Sequence, residues 1–234
     1  NFGYNLLVGG NMLSGAGMFR RVSLLHLIKK YTPERVQVIL IDSINQMSDF
    51  DEIPHLISPR ATKQEDIVNT LNWCREESDR RFNLLESRDK ERSILNYNRH
   101  INGDEEVIPD IFIFISELGD VVSNESALRS IIQTVQISRA TSIHFIITTQ
   151  RPGKETIPDL IKDNFFNRIA FQMPYKEESE LFIGKTGAEE LLGQGDMLFM
   201  DSYSDKIHHL QGLYFPVDDT KDKVKELIKL NENI

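Results

Sequence analysis

Apolar runs and helix-periodic stretches alternate along the whole of this chain. Short, nearly continuous apolar runs occupy Asn5 to Gly9, Val36 to Asp42, Asp110 to Ile115, His144 to Thr149 and Arg168 to Gln172. Each has the length of a strand and lacks a polar alternate face, so burial on both faces is expected. Between them, apolar positions recur three and four residues apart. That spacing predicts helices over Met18 to Lys30, Lys63 to Glu86, Glu125 to Ser138, Pro158 to Asn164, Glu177 to Ile183 and Thr220 to Asn231. Strands and helices in this order predict an α/β fold, a mainly parallel sheet with helices on both faces. Gly195 to Met200 and Ile207 to Leu210 read as a late hairpin adding antiparallel edge strands. Gln46 to Ala61, with Pro54 and Pro59, reads as a long irregular connection. No internal repeat is visible, and one domain over 1–234 is expected.

The same pattern places the candidate chemistry. Asp42, Ser116 and Thr149-Gln150 end three of the strands, and the Gly-rich turn Gly10–Gly17 leaves the first. In open α/β sheets this edge is where ligands bind. The turn reads G-N-M-L-S-G-A-G, the frame of a phosphate-binding loop, G-x-x-x-x-G-K-[ST]. Ala16 stands where that motif has Lys, and Gly17 where it has a hydroxyl. Backbone amides of such a loop and of the helix after it attract anions. By itself, a loop without Lys is also compatible with a tight turn that binds nothing. A dinucleotide reading, with Asp42 on a ribose, fits less well because the glycines are not spaced G-x-G-x-x-G. Ile111 to Ile115 ends in Ser116-Glu117, where a Walker B strand would end in Asp-Glu. Gln150, at the tip of its strand, is placed to orient water or sense a γ-phosphate.

Composition narrows the classes. The chain has 234 residues, of which 40% are hydrophobic and 27% charged, as in an ordinary globular domain. The longest apolar runs are too short to cross a bilayer. A net charge of −9 argues against general nucleic-acid binding, so a DNA contact would need a local basic patch. Cys74 is the one cysteine, which excludes an intrachain disulfide and fits a reducing compartment. His55, His144, His208 and His209 do not have zinc-ligand spacing with Cys74, and no metal held by protein side chains is expected. No G-x-S-x-G is present. Lys221, Lys223, Lys225 and Lys229 alternate with acids, as on a solvated helix face. The chain opens almost on a strand, as a piece of a longer protein would.

With these motifs placed, the chain resembles the RecA-like motor domain of the FtsK/SpoIIIE family of DNA translocases. The resemblance is carried by Ser138 to His144, Thr149-Gln-Arg-Pro152, Leu160-Ile-Lys-Asp163 and Arg168 to Gln172. The long run Gly187-Ala-Glu-Glu-Leu-Leu-Gly-Gln-Gly-Asp-Met-Leu198 is its most specific part. Ile53 to Leu56, Leu71 to Trp73, Arg80 to Phe82 and Tyr97-Asn98 fall in the same register.

The resemblance implies a hexameric ring, homo- or hetero-oligomeric, that moves double-stranded DNA using ATP and Mg²⁺. It implies a bacterial cytoplasmic domain, joined in the full-length protein to upstream segments, with a possible inner-membrane anchor, and to a winged-helix domain. By this resemblance Gly10, Asn11, Met12, Leu13, Ser14, Gly15, Ala16, Gly17 and Met18 form the nucleotide-binding loop. Glu117 and Gln150 act in cis, Arg139 and Lys176 reach a neighbouring subunit's nucleotide, and Arg151 and Lys162 face DNA, with Lys154 added as a nearby cation. The second strand departs from the family's Asp-Pro-Lys, since Asp42 is followed by Ser43-Ile44. The departures are selective: groups acting in cis on phosphate and magnesium are altered, while those acting in trans or on DNA remain. Each missing charge-assisted hydrogen bond is worth roughly 1.5–3 kcal/mol. Two or three such losses weaken Mg-ATP binding by roughly a hundredfold. Poor own-site hydrolysis is therefore expected, and the alternative is a non-catalytic structural or docking subunit of a translocase or secretion-type ATPase assembly.

Overall fold

The computed structural model describes residues 5–88, 91–101, 106–201 and 206–231, with side chains through 228 in the last segment. The apolar runs form the strands β1 (Leu6–Gly9), β2 (Val36–Ile41), β3 (Asp110–Ile115), β4 (Ile143–Thr149) and β5 (Asn167–Phe171). They are followed by β6 (Asp196–Met200) and β7 (Ile207–Gln211). The seven make one sheet in the order β2-β3-β4-β1-β5-β6-β7. The first five are parallel, and β6 and β7 join antiparallel at the edge, as the late hairpin predicts. β1 is central, so the turn that leaves it emerges between β4 and β5.

Eight helices cover this sheet among the described residues: α1 (Ala16–Lys30), α2 (Gln64–Glu86), α3 (Ile94–His100), α4 (Leu118–Val122), α5 (Glu125–Thr141), α6 (Asp159–Lys162), α7 (Lys176–Ile183) and α8 (Val217–Asn231). The larger core lies between the sheet and α2, α5 and α7. A second core packs Leu24, Leu27 and Ile28 of α1 and Val224 of α8 against β2, β3 and Ile146. A sheet sandwiched in this way explains the absence of polar alternation in β3 and β4, whose residues are buried almost throughout.

Three features differ from the sequence expectation. Helices α3 and α4 are too short to show a period; each is instead started by a side-chain cap, Ser93 and Glu117. The Gln46 to Ala61 connection is more ordered than an irregular loop. It has a 3₁₀ turn at Ser48–Phe50 and returns along β2 through bridges Val38–Leu56 and Ile41–Ala61. Helix α1 begins at Ala16, inside the Gly-rich motif, and α8 begins at Val217. Lys221, Lys223 and Lys225 lie exposed on α8, and the side chain of Lys229 lies outside the described residues.

Candidate functional site

The Gly10–Gly17 turn is seated on both neighbours of β1. Gly10 N donates to Thr149 O at 3.2 Å and Asn11 N to Gln172 O at 2.8 Å. A Cβ on Gly10 would lie 2.6 Å from Phe171 Cβ, so only glycine allows this approach. Gly15, at φ 127, abuts Gly195 Cα where a Cβ would sit at 2.8 Å. Gly195 N in turn donates to Ser14 O at 2.8 Å. The glycine-rich run before β6 therefore buttresses the loop. Ser14 turns its hydroxyl back onto Asn11 O at 2.6 Å. Met12 and Leu13 stand exposed at the tip, with Leu13 in the left-handed region at φ 65. Ala16 is buried with Val8, Phe171 and Met197. Helix α1 has no side-chain cap, and an uncapped helix start behind a Gly-rich turn is a usual setting for an anion.

Behind the loop lies a buried polar network. Asp42, at the end of β2, is fully buried. Its Oδ1 accepts from Ser116 Oγ at 2.6 Å and from Gln46 N at 3.1 Å. Its Oδ2 accepts from Met47 N at 2.8 Å and Arg60 Nη1 at 3.0 Å. Arg20, one turn into α1, is 1% exposed. Its Nη1 donates to Ser116 O at 3.0 Å and to Thr148 Oγ1, and its Nη2 donates to Gln46 Oε1 at 2.7 Å. Its Nε points at Met47 Sδ at 3.5 Å. Burial pulls the guanidinium down to about 10, opposed by the charges of Asp42 and Glu117, so it stays charged at neutral pH.

Glu117 is equally engaged. Oε1 accepts from Thr149 Oγ1 at 2.7 Å and caps α4 through Gly119 N at 3.2 Å, and Oε2 accepts from Gln150 N at 2.9 Å. Glu117 and Gln150 are thus brought into direct contact. Together with Arg151 they line a cavity of about 410 Å³ that also meets Ile44, Asp120 and Glu155. Arg151 and Lys154 are exposed, and Lys162 is half-buried with its Nζ 2.8 Å from Asp159 Oδ1. These three cations lie on the single stretch that follows β4. Lys176 is exposed at the start of α7. Arg139, in the last turn of α5, is exposed near the opposite edge of the sheet, where β4 begins. A seven-residue strand separates that edge from the loop, which is on the order of 20 Å. Arg139 is therefore not brought to the loop of its own chain.

Three residues of this network escape motif reading: Arg20, Gln46 and Arg60. The signal for Arg20 is its place in α1, four residues from both Ala16 and Leu24 on the buried stripe. A charged residue in an apolar stripe marks a buried partner. Gln46 and Arg60 sit in the irregular connection and carry no such signal. Among the described residues no three His, Cys, Asp or Glu side chains group as a metal site. Cys74 is buried in α2 and its thiol is pushed up by burial, so it is unreactive.

The FtsK/SpoIIIE family model matches residues 3–186. The chain belongs to the FtsK/SpoIIIE family. It is 32% identical over 236 residues to DNA translocase FtsK of Borreliella burgdorferi, covering 98% of this chain and 29% of that protein. The chain thus spans under a third of that relative's length. Among solved structures, the pCW3 conjugation coupling protein TcpA, in a monomer form with ATPγS, aligns with TM-score 0.81 at 22% identity. That match covers 98% of this chain and 65% of TcpA. ATPases 2 and 3 of EssC from Geobacillus thermodenitrificans align with TM-score 0.82 at 19% identity, over 99% of this chain and 45% of theirs. These two likenesses concern the fold alone. Among the described residues, no helix is long and apolar enough to cross a membrane.

Proposed function

We propose that this FtsK/SpoIIIE domain is a motor subunit of a double-stranded DNA translocase ring, and that it hydrolyses ATP very poorly at its own loop. The observation carrying this reading is the coupled replacement at one sheet edge. Lys and hydroxyl are absent at Ala16 and Gly17, and the strand-end Asp is replaced by Ser116, whose hydroxyl serves Asp42. The loop keeps its backbone frame and its uncapped helix start, so phosphate is still held, weakly, by amides. The groups that would polarise charge in the transition state are missing.

In the ring, Arg139 and Lys176 serve the nucleotide of a neighbouring, catalytically intact subunit, which suits Arg139's place away from its own loop. Arg151, Lys154 and Lys162 form the local basic stretch that an acidic chain needs to grip DNA. A steady-state ATPase assay with duplex DNA tests the first half: turnover at background is expected, and robust DNA-stimulated turnover contradicts it. For the second half, the chain is mixed with an active relative. Arg139→Ala in this chain is expected to lower the partner's turnover, and no change in that turnover removes the trans role. The selective loss of cis groups also favours a second reading, a purely structural or docking subunit. DNA affinity across salt separates the two. A DNA-gripping subunit shows a slope of about −0.9 per phosphate contacted, and a docking module shows none.

A further inference from the structure

The family chemistry uses a divalent cation held by a loop hydroxyl and a strand-end Asp. The donor set here does not fit one. Gly17 has no hydroxyl and Ser116 no carboxylate. Of the carboxylates at this edge, Asp42 and Glu117 follow the ends of β2 and β3 and have every oxygen engaged by protein donors, while Asp120 and Glu155 line the neighbouring cavity. Asp42 accepts from Ser116 Oγ, Gln46 N, Met47 N and Arg60, and Glu117 from Gly119 N, Thr149 Oγ1 and Gln150 N. A Mg²⁺ ion with its water shell would have to compete with those donors for the same oxygens.

A guanidinium lies beside the place itself. A Cβ built on Gly17 meets one atom within 4 Å, Gln46 Oε1 at 3.7 Å. That oxygen is held by Arg20 Nη2 at 2.7 Å. The space where a loop hydroxyl would sit is thus bordered by the Gln46 amide at ordinary contact distance, with the Arg20 guanidinium behind it. The acceptors of Arg20 are all neutral: Met47 Sδ, Ser116 O, Thr148 Oγ1 and Gln46 Oε1. Burying a cation without a carboxylate in contact is costly, and the cost is offset here only through space by Asp42 and Glu117. The charge balance is informative. An intact motif sets Lys and a divalent cation against one Asp, whereas this chain has neutral Ala16 and Ser116 and the positive charge of Arg20.

We propose that Arg20 stands in for the divalent cation, so that the Gly10–Gly17 loop takes polyphosphate ligands without metal. This rests on reading the loop as a nucleotide site, and it assigns that site a metal-free ligand class.

The test is isothermal titration of the whole chain with ATP and with inorganic pyrophosphate, in EDTA and in excess Mg²⁺. Native chain and Arg20→Met are compared, with thermal unfolding as the control for folding. The two affinities of the native chain are expected to agree within about twofold, and folded Arg20→Met to bind about tenfold more weakly. Tightening by Mg²⁺ of about tenfold or more overturns the proposal, and so does native affinity in folded Arg20→Met. Absence of binding under both conditions overturns it as well. If Arg20→Met does not fold, the metal dependence of the native chain decides alone. Failure here leaves the DNA-binding and partner-turnover assays of the proposed function unaffected, so the two readings fail separately.

Discussion

Two regions of the same sheet edge have been treated differently. Behind the Gly10–Gly17 loop the polar groups are knitted into the protein: Asp42, Ser116, Arg20, Gln46 and Arg60 bond one another, with Asp42, Ser116 and Arg20 buried. Past β4, Arg151 and Lys154 project into solvent, and Lys162 makes only a local pair with Asp159. The first region commits its polar groups to its own stability. The second leaves them available to a ligand. The contrast teaches that beside the positions where the motif has its hydroxyl and Asp, the polar groups of this chain pair with one another around the Arg20 guanidinium. It also gives the two regions opposite mutational signatures, stability in one and binding in the other.

The contrast can be broken or sharpened by substitution. The largest effect is expected from Asp42→Ala. It removes one of Arg60's two carboxylate partners, Asp51 remaining, and the buried acceptor of Ser116, Gln46 N and Met47 N, at a cost of about 3–5 kcal/mol. Urea unfolding measures this, and a loss under about 1 kcal/mol would show the network to be dispensable. Next is Ser116→Ala, which removes one bond to a charged oxygen and costs about 1.5–3 kcal/mol in the same assay. Ser116→Asp alone is expected to cost more than Ser116→Ala, because it buries a second carboxylate against Asp42. If it is instead neutral, the edge still accommodates the family's acid. Gly17→Ala should stabilise by about 0.5–1 kcal/mol, since the position is helical and its Cβ meets no clash. A loss there would mean that Gln46 is packed more tightly than its 3.7 Å spacing implies. The smallest effect on stability, within about 0.5 kcal/mol, belongs to the double change Arg151→Ala, Lys154→Ala. That variant should instead flatten the salt dependence of DNA binding by about 0.9 for each phosphate it no longer neutralises.

Much of this is legible in the sequence, for physical reasons. Strands β2 to β5 announce themselves because a sheet covered on both faces demands continuous apolar runs. The ligand edge follows from where those runs end, and so does the joint placement of the Gly-rich loop, Asp42, Ser116, Glu117 and Gln150. Side-chain networks are not legible in this way. Arg20 belongs to no motif, although its spacing from Ala16 and Leu24 puts it on the buried stripe. Arg60 and Gln46 come from a connection whose order depends on bridges to β2, a tertiary effect that local pattern does not carry. Helices α3 and α4 escape because a turn or two of helix has no period, and their caps act through single side chains.

The central claim is that this edge was rebuilt around Arg20, and one comparison tests it most directly. The motif is restored as Ala16→Lys, Gly17→Ser, Ser116→Asp, with and without Arg20→Met, and ATP affinity is measured with and without Mg²⁺. The account predicts that metal-dependent binding returns only when Arg20 is also removed. Metal-dependent binding in the triple variant with Arg20 in place would contradict it, because the cation's position would then have been open all along.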